Sequence, residues 1–491
     1  MPHPLLLLLL AVLFYPVDGL FPQQNERRRI DSLDGLWTFV REPTATAPPI
    51  IEESIGFINK WPSLDLSKQL SNSTVMPVPC AYNEIGVGGD DDGSELRAHV
   101  GWVWYQREHW LGPGTTGRVV LRFGSVNYLA YVFVNDHLLG KHVGGHLPFE
   151  VELEKEVMGV NGHLLITVAV NNWLSSSTIP PGDTSLESTS LSYFNYTISR
   201  PHFDFFHYAG ILRPVQLLHL PCTYISQLRI TADGDGRLSY RVGLSLAEGR
   251  QLTDHTVIVK VYMHGSPDRM VYEGSGFENE TRLTNVNLWW PRGMGKSSLY
   301  TMEVMLVDGA EGLVDIYRET FGFRTVTTTP SGIYINGKRF YCLGFGMHED
   351  FALIGRGFSH PLLVKDMNVL EWLGANCYRT SHYPYSEQRA YEADRRGFVV
   401  ITEVPAVGMS EFTPGNRRLH ARMVREMVAR DYNHPSVIAW SLSNEPESAK
   451  EEALEYYSSL MRVTKAADAT RPVTIVYSTQ AKDEKTVGGG R

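Results

Sequence analysis

Beyond Thr329-Pro330 the chain takes up a rhythm that few folds accommodate, in which short and almost wholly apolar runs alternate with stretches of helical periodicity. The apolar runs are Phe340–Leu343, Ala375–Tyr378, Phe398–Thr402, Val437–Leu442 and Val473–Val476. Between them lie Leu362–Leu373, Ser386–Arg396, Arg418–Arg430 and Glu451–Asp468, with apolar residues three and four apart. A strand without a polar face must be covered on both sides, so the pattern predicts a parallel sheet flanked by helices. The polar residues then choose between an open sheet and a barrel. His348-Glu349-Asp350, Arg379 with His382, Glu403, and Asn444-Glu445 each follow an apolar run. Functional groups at the C-terminal ends of several strands are the arrangement of a (β/α)8 barrel. No Gly-rich phosphate loop follows the first strand, which argues against an open dinucleotide-binding sheet.

Upstream the texture is all-β. From Leu20 to about Cys222, alternating runs such as Arg118–Phe123, Leu129–Asn135 and Leu164–Asn171 are divided by Gly, Pro, Asn and Asp, which suits a jelly-roll sandwich. Asn135-Asp136 reads as a hairpin, and Leu174–Ser199, rich in Ser, Thr and Pro, as a long polar loop. Residues 223–326 hold about seven short strand-like runs, the signature of an immunoglobulin-like sandwich. The expected division is therefore 1–19, a signal peptide; 20–222, a jelly roll; 223–326, an immunoglobulin-like sandwich; and 327–491, a barrel segment.

A chain of 491 residues is too long for one core. Its net charge of −9 offers no basic face for nucleic acid, so that class of partner is excluded. Leu5 to Phe14 is an apolar run too short to span a bilayer, followed by Pro16 and Gly19, which predicts cleavage after Gly19 and entry to the secretory route. No later run is long enough for a membrane span. Cys80, Cys222, Cys342 and Cys377 are far apart and predict no disulfide framework, and no clustered Cys/His set suggests a metal. No cofactor is expected. Secretion gives meaning to three glycosylation sequons, at Asn72, Asn195 and Asn279.

The chemistry concentrates in Asp431-Tyr-Asn-His-Pro-Ser-Val-Ile-Ala-Trp-Ser-Leu-Ser-Asn-Glu445. A helix ends near Arg430, Asn433-His434-Pro435 turns the chain, and a buried strand delivers Asn444-Glu445. A carboxylic acid held at such a strand end in a partly enclosed cleft can serve as a proton donor. A glutamate there can equally cap the next helix, and position alone leaves both readings open.

This segment resembles the acid/base signature of glycoside hydrolase family 2, a family of retaining β-glycosidases. Gly374-Ala-Asn-Cys-Tyr-Arg-Thr-Ser-His-Tyr-Pro384 is similar to the family's other signature, and Leu288-Trp-Trp-Pro291 to its approach from sandwich to barrel. Within the family, the β-glucuronidases of animals are most similar. Gly35-Leu-Trp-Thr-Phe39, Gly144-Gly-His-Leu-Pro-Phe149, Phe203-Asp-Phe-Phe-His-Tyr-Ala-Gly210 and Gly346-Met-His-Glu-Asp350 carry that likeness, which runs from about Leu20 to Gln480. It implies hydrolysis of terminal β-D-glucuronosides, in glycosaminoglycans and conjugates, and a lysosomal destination. By the same resemblance Glu445 would be the general acid/base and Asn444 would bond the sugar 2-hydroxyl. His382 and Asp204 would contact other hydroxyls, and Arg379 would orient the nucleophile. Arg379 could instead be a structural ion-pair partner, and Asp204 a turn cap. Glu403 and Asp350 read as residues that shape the cleft.

The resemblance also marks a departure. Retaining hydrolysis needs a second carboxylate about 5–5.5 Å from the first. In this family it comes from a later barrel strand, and Thr327–Arg491 falls well short of the about 250 residues such a barrel takes. The segment provides about five of eight strands, with no candidate nucleophile and no counterpart of the Asn/Lys pair that grips the substrate carboxylate. The expectation is an inactive truncated chain, or a carbohydrate-binding or regulatory isoform, whose residues 327–491 are unstable at both open edges. Ala481–Arg491 has no strand or helix pattern, and the final eight to eleven residues read as foreign to the family. Galactoside or mannoside specificity is a lesser alternative, and the family's tetramer cannot be assumed.

Overall fold

The computed structural model describes residues 20–45, 48–85, 96–112, 117–159, 161–188, 195–310 and 312–478, with residues 188, 195 and 196 described by backbone alone. The expected signal peptide and the tail from Ala481 lie outside them. The chain forms two compact units.

The first unit comprises Asp31–Leu218 together with Glu349–Phe358. Its larger sheet has six strands in the order Thr74–Val78, Gly35–Arg41, Trp102–Trp110, His163–Asn171, Leu129–Val134, His137–Val143, every neighbouring pair antiparallel. A four-stranded sheet runs Arg29–Ser32, Val215–Leu220, Arg118–Phe123, Phe149–Leu153. Asn135 and Asp136 both have positive φ, 46° and 64°, and close the expected hairpin. Much of the aromatic content is core here. Phe57 meets Trp102, Trp104 and Tyr131 edge-on at 4.9–5.5 Å between centroids, over a cluster that includes Val40, Trp61 and Phe133. The expected loop Leu174–Ser199 is corrected in part. Gly182–Ser188 pairs with Asn195–Pro201 as an antiparallel ribbon, since β-branched Thr184, Thr197 and Ile198 suit a strand and Thr184 Oγ1 donates across it to Ser199 Oγ at 3.4 Å.

The second unit comprises His219–His348 with the described parts of Val17–Ile30 and Ser359–Arg491. Its sandwich has seven strands in two antiparallel sheets. Tyr224–Ala232, Arg237–Ser245 and Glu278–Arg282 form one, and Ser266–Ser275, His255–Met263, Tyr300–Asp308 and Gly312–Phe321 the other. Alternate residues such as Val257, Val259, Val261 and Met302, Val304, Leu306 fill a common core. Arg28 grips Asp315 through Nε at 2.9 Å and Nη2 at 2.6 Å, both residues buried.

A small antiparallel sheet of Val326–Thr329, Gly332–Ile335 and Lys338–Phe340 then leads into five parallel strands. These are β1 (Gly344–Gly346), β2 (Cys377–Arg379), β3 (Val399–Glu403), β4 (Val437–Asn444) and β5 (Val473–Val476). Helices α1 (His360–Trp372), α2 (Glu387–Arg396), α3 (Pro414–Asp431) and α4 (Glu451–Ala467) alternate with them. Each strand pairs with its sequence neighbour, all in parallel, and the order never reverses as it does in a doubly wound sheet. Local chemistry sets the ends. Thr413 caps α3 by accepting from Asn416 N with Pro414 in the first turn, and Gly397 ends α2 at φ 77°.

Two expectations need correction. The first strand is Gly344–Gly346 and not Phe340–Leu343, because Phe340 pairs with Ile333 and buries its ring with Trp289 and Ile335. The expectation of no disulfide framework is corrected by one bond. Cys342 and Cys377 form a disulfide across the start of β1 and β2, with Cα atoms 5.6 Å apart. Cys80 is buried and unpaired, and burial pushes its thiol up to about 12.

Candidate active site

At the C-terminal end of the parallel sheet, β2, β3 and β4 bring polar side chains together. All eight residues of β4 are buried, and the chain leaves the sheet at Glu445 with φ 50°, in the sparsely populated left-handed region. Backbone bonds hold that corner. Glu445 N donates to Val476 O at 2.8 Å, Asn444 N to Ala406 O at 3.1 Å, and Gly408 N to Asn444 O at 2.9 Å. Glu445 itself is exposed, and no ion pair or side-chain hydrogen bond engages its carboxylate among the described residues. It neither caps α4, whose N-cap is Lys450, nor lies buried against a cation.

Glu403, at the end of β3, is the opposite case. It is fully buried, and three neighbouring side chains meet its two oxygens. Its Oε1 lies 2.7 Å from His382 Nδ1, and its Oε2 accepts from Ser441 Oγ at 2.6 Å and lies 3.7 Å from Arg379 Nε. Its backbone N donates to Thr380 Oγ1 at 2.9 Å. Arg379 Nη2 donates to Asn444 Oδ1 at 3.3 Å, and His348 packs edge-on against His382 at 5.8 Å. Behind this group Tyr457 Oη donates to Ser443 Oγ, which donates to Ala406 O. Burial pushes the Tyr457 hydroxyl well above its ordinary value, and the same cause draws the nearby His420 ring down to about 4, neutral at physiological pH.

Of the expected site residues, Arg379, His382, Asn444 and Glu445 come together in the second unit. Asp204 belongs to the first, where it is exposed after the Asn195–Pro201 strand. Glu349 and Asp350 also join that unit, Glu349 pairing with Arg213 at 3.3 Å. Glu403, expected to shape the cleft, is the buried centre of this group, and Ser441, which donates to it, is a residue that sequence reasoning did not single out. The available signal was an acid closing a run of five apolar or small residues. Among the sequons, Asn72 is exposed in a turn, whereas Asn279 lies on a strand and donates to Tyr272 Oη at 3.0 Å; the side chain of Asn195 is outside the described residues. No helix among the described residues is long and apolar enough to cross a membrane.

Comparison with known proteins agrees with this geometry. Residues 30–221 match the sugar binding domain of glycosyl hydrolases family 2, residues 223–324 match the domain described as glycosyl hydrolases family 2, and residues 326–487 match that family's TIM barrel domain. The β-glucuronidase of Sus scrofa is 40% identical over 486 residues, covering 96% of this chain and 71% of the relative. That of Homo sapiens is 38% identical over 485 residues, covering 95% and 71%. Among solved structures, the β-glucuronidase of Ruminococcus gnavus in complex with D-glucuronic acid superimposes with a TM-score of 0.82 at 33% identity, over 94% of this chain and 75% of that one. The chain belongs to glycosyl hydrolase family 2, an O-glycosyl hydrolase family, among its β-glucuronidases.

Proposed function

We propose that this chain carries the proton-donor half of a retaining β-glucuronidase site, directed at terminal β-D-glucuronosides of glycosaminoglycans and conjugates. The observation that carries the reading is Glu445: exposed, unpaired, and projected from the end of a wholly buried strand beside Asn444 and Arg379. Glu445 protonates the departing glycosidic oxygen, and Asn444 and His382 hold sugar hydroxyls. The named activity of the relatives supports this assignment.

A retaining mechanism also needs an attacking carboxylate. Among the described residues the other acid at the ends of β2, β3 and β4 is Glu403, and a fully buried carboxylate bonded to His382 and Ser441 has no route to an anomeric carbon. A polypeptide of residues 1–491 therefore binds a glucuronide without turning it over, which favours the binding reading for that polypeptide. A chromogenic β-glucuronide assay with Glu445→Gln alongside tests it. Release no faster than that of the variant is expected, and release that the variant abolishes would mean a nucleophile exists within these residues.

The secretory route to the lysosome is part of the same proposal. It is supported by the apolar run Leu5 to Phe14, by the exposed sequon at Asn72, and by the Cys342–Cys377 disulfide, a bond that persists in oxidising compartments.

A further inference from the structure

We propose that Glu403 is a positioning residue of the sugar site, acting through His382 and Arg379 to present them to the ligand. The inference rests on the functional reading above, but its first test does not.

Three adjacent strands converge on this carboxylate. Arg379 and His382 come from the end of β2 and the turn after it, Glu403 from β3 and Ser441 from β4. Of the expected site residues, His382 is thus bonded to one fully buried acid and Arg379 held beside it, and Asn444 is reached from it through Arg379. A carboxylate removed from water persists as an anion only when donors replace its hydration. Here the donors are Ser441 Oγ and the His382 ring, and the Arg379 guanidinium stands by as a counter-ion with Nε at 3.7 Å. A residue serving the frame alone would draw its donors from backbone amides and from groups remote from the site, as Glu42 does with Ile55 N, Gly56 N and Trp104 Nε1.

The consequence is chemical. An ionised carboxylate only accepts, so the 2.7 Å contact requires the proton of His382 to sit on Nδ1. The tautomer of a histidine is set by the bond its other nitrogen makes. In the neutral ring Nε2 is then the acceptor, the form that receives a hydrogen bond from a sugar hydroxyl. Glu403 also supplies the counter-charge beside Arg379, with Oε2 3.7 Å from an Nε that donates to Ser381 Oγ at 3.3 Å, while Nη2 meets Asn444 one residue before Glu445. Without the charge, His382 can exchange tautomers and Arg379 loses its counter-ion.

The test uses the full 491-residue chain labelled with nitrogen-15 at histidine, the His382 ring being assigned by its loss in His382→Gln. The wild type is expected to show Nδ1 protonated, with no ligand present. A ring protonated on Nε2 alone overturns the proposal, whatever any variant does. Glu403→Ala, checked for folding by its melting curve, is expected to lose the preference for Nδ1 and to raise the Kd for a non-hydrolysable aryl β-thioglucuronide about tenfold. A folded Glu403→Ala chain with unchanged ring signals and unchanged Kd would also overturn it. Failure of the wild type to bind the thioglucuronide would sink the functional reading instead, because the tautomer is read without ligand.

Discussion

Glu445 and Glu403 show how two residues of one type, at the ends of neighbouring strands, diverge through surroundings alone. One is exposed and uncommitted; the other is enclosed and shared among three side chains. Because no side chain among the described residues bonds the Glu445 carboxylate, Glu445→Gln should shift unfolding free energy by no more than about 0.5 kcal/mol, as for other surface changes. A denaturant melt checks this, and a large loss would reveal a structural role. His434 titrates in a way the fold should register. Burial opposes charging of its ring, yet Asp394 Oδ2 at 2.6 Å from Nδ1 outweighs that and lifts it to about 9. A raised histidine contributes its full stability below the unfolded value of about 6.5 and loses it as pH climbs through the folded one. Stability should therefore decline between about pH 6.5 and 9, and His434→Gln should flatten that decline. Urea melts across the range decide it; equal slopes in wild type and variant would contradict the pairing. The strand-end place of Glu445, though not its role, was legible in the sequence because its neighbours spell a strand and a turn. The part played by Glu403 was not, since its burial depends on Arg379, His382 and Ser441 arriving from two other strands.

At the scale of the element, alternation of apolar runs and helical periods located four of the five parallel strands and all four helices within a few residues. The first strand escaped because Phe340 is as apolar as a strand residue but serves an antiparallel hairpin beside Trp289. The disulfide was illegible for a related reason: Cys342 and Cys377 are 35 residues apart and become neighbours only once β1 and β2 are set in register. That bond ties the outermost strand to the sheet. Among the described residues β1 and β5 each pair on one side only, and Tyr341, Leu343 and Phe345 around β1 are exposed. Closing a loop of that length stabilises by about 3–4 kcal/mol in the chain-entropy account. Cys342→Ser with Cys377→Ser should lose a comparable amount, measured by urea unfolding under non-reducing conditions, and a double variant as stable as wild type would refute the staple. Gly344 has a separate constraint. A Cβ there would lie 1.8 Å from the Cys377 carbonyl oxygen, so Gly344→Ala should force β1 from its partner.

Over larger distances, the second unit is knitted by a few side chains drawn from the segment that also carries the acid/base candidate. Asn433 Oδ1 accepts from Ile230 N at 2.9 Å and its Nδ2 donates to Leu228 O at 2.8 Å, fastening the turn before β4 to the sandwich strand Tyr224–Ala232. Asn433→Ala leaves two backbone groups without these partners and should cost about 1–3 kcal/mol. A melting curve that does not move would show the junction to be held elsewhere. The architecture of two sandwiches before a parallel β/α segment was readable from turn spacing and apolar rhythm. The attachment of Glu349–Phe358 to the first unit was not, because it rests on contacts such as Arg213 with Glu349 and Arg356 with Gly145 O that no local pattern announces. The account as a whole turns on whether the rim formed by β2, β3 and β4 receives a glucuronide. Calorimetric titration of a non-hydrolysable aryl β-thioglucuronide into the 491-residue chain, with Asn444→Ala beside it, tests this most directly. Saturable binding that the variant weakens about tenfold or more, the worth of one hydrogen bond to a sugar hydroxyl, is the predicted result. Absence of saturable binding, or equal binding by the variant, would contradict it.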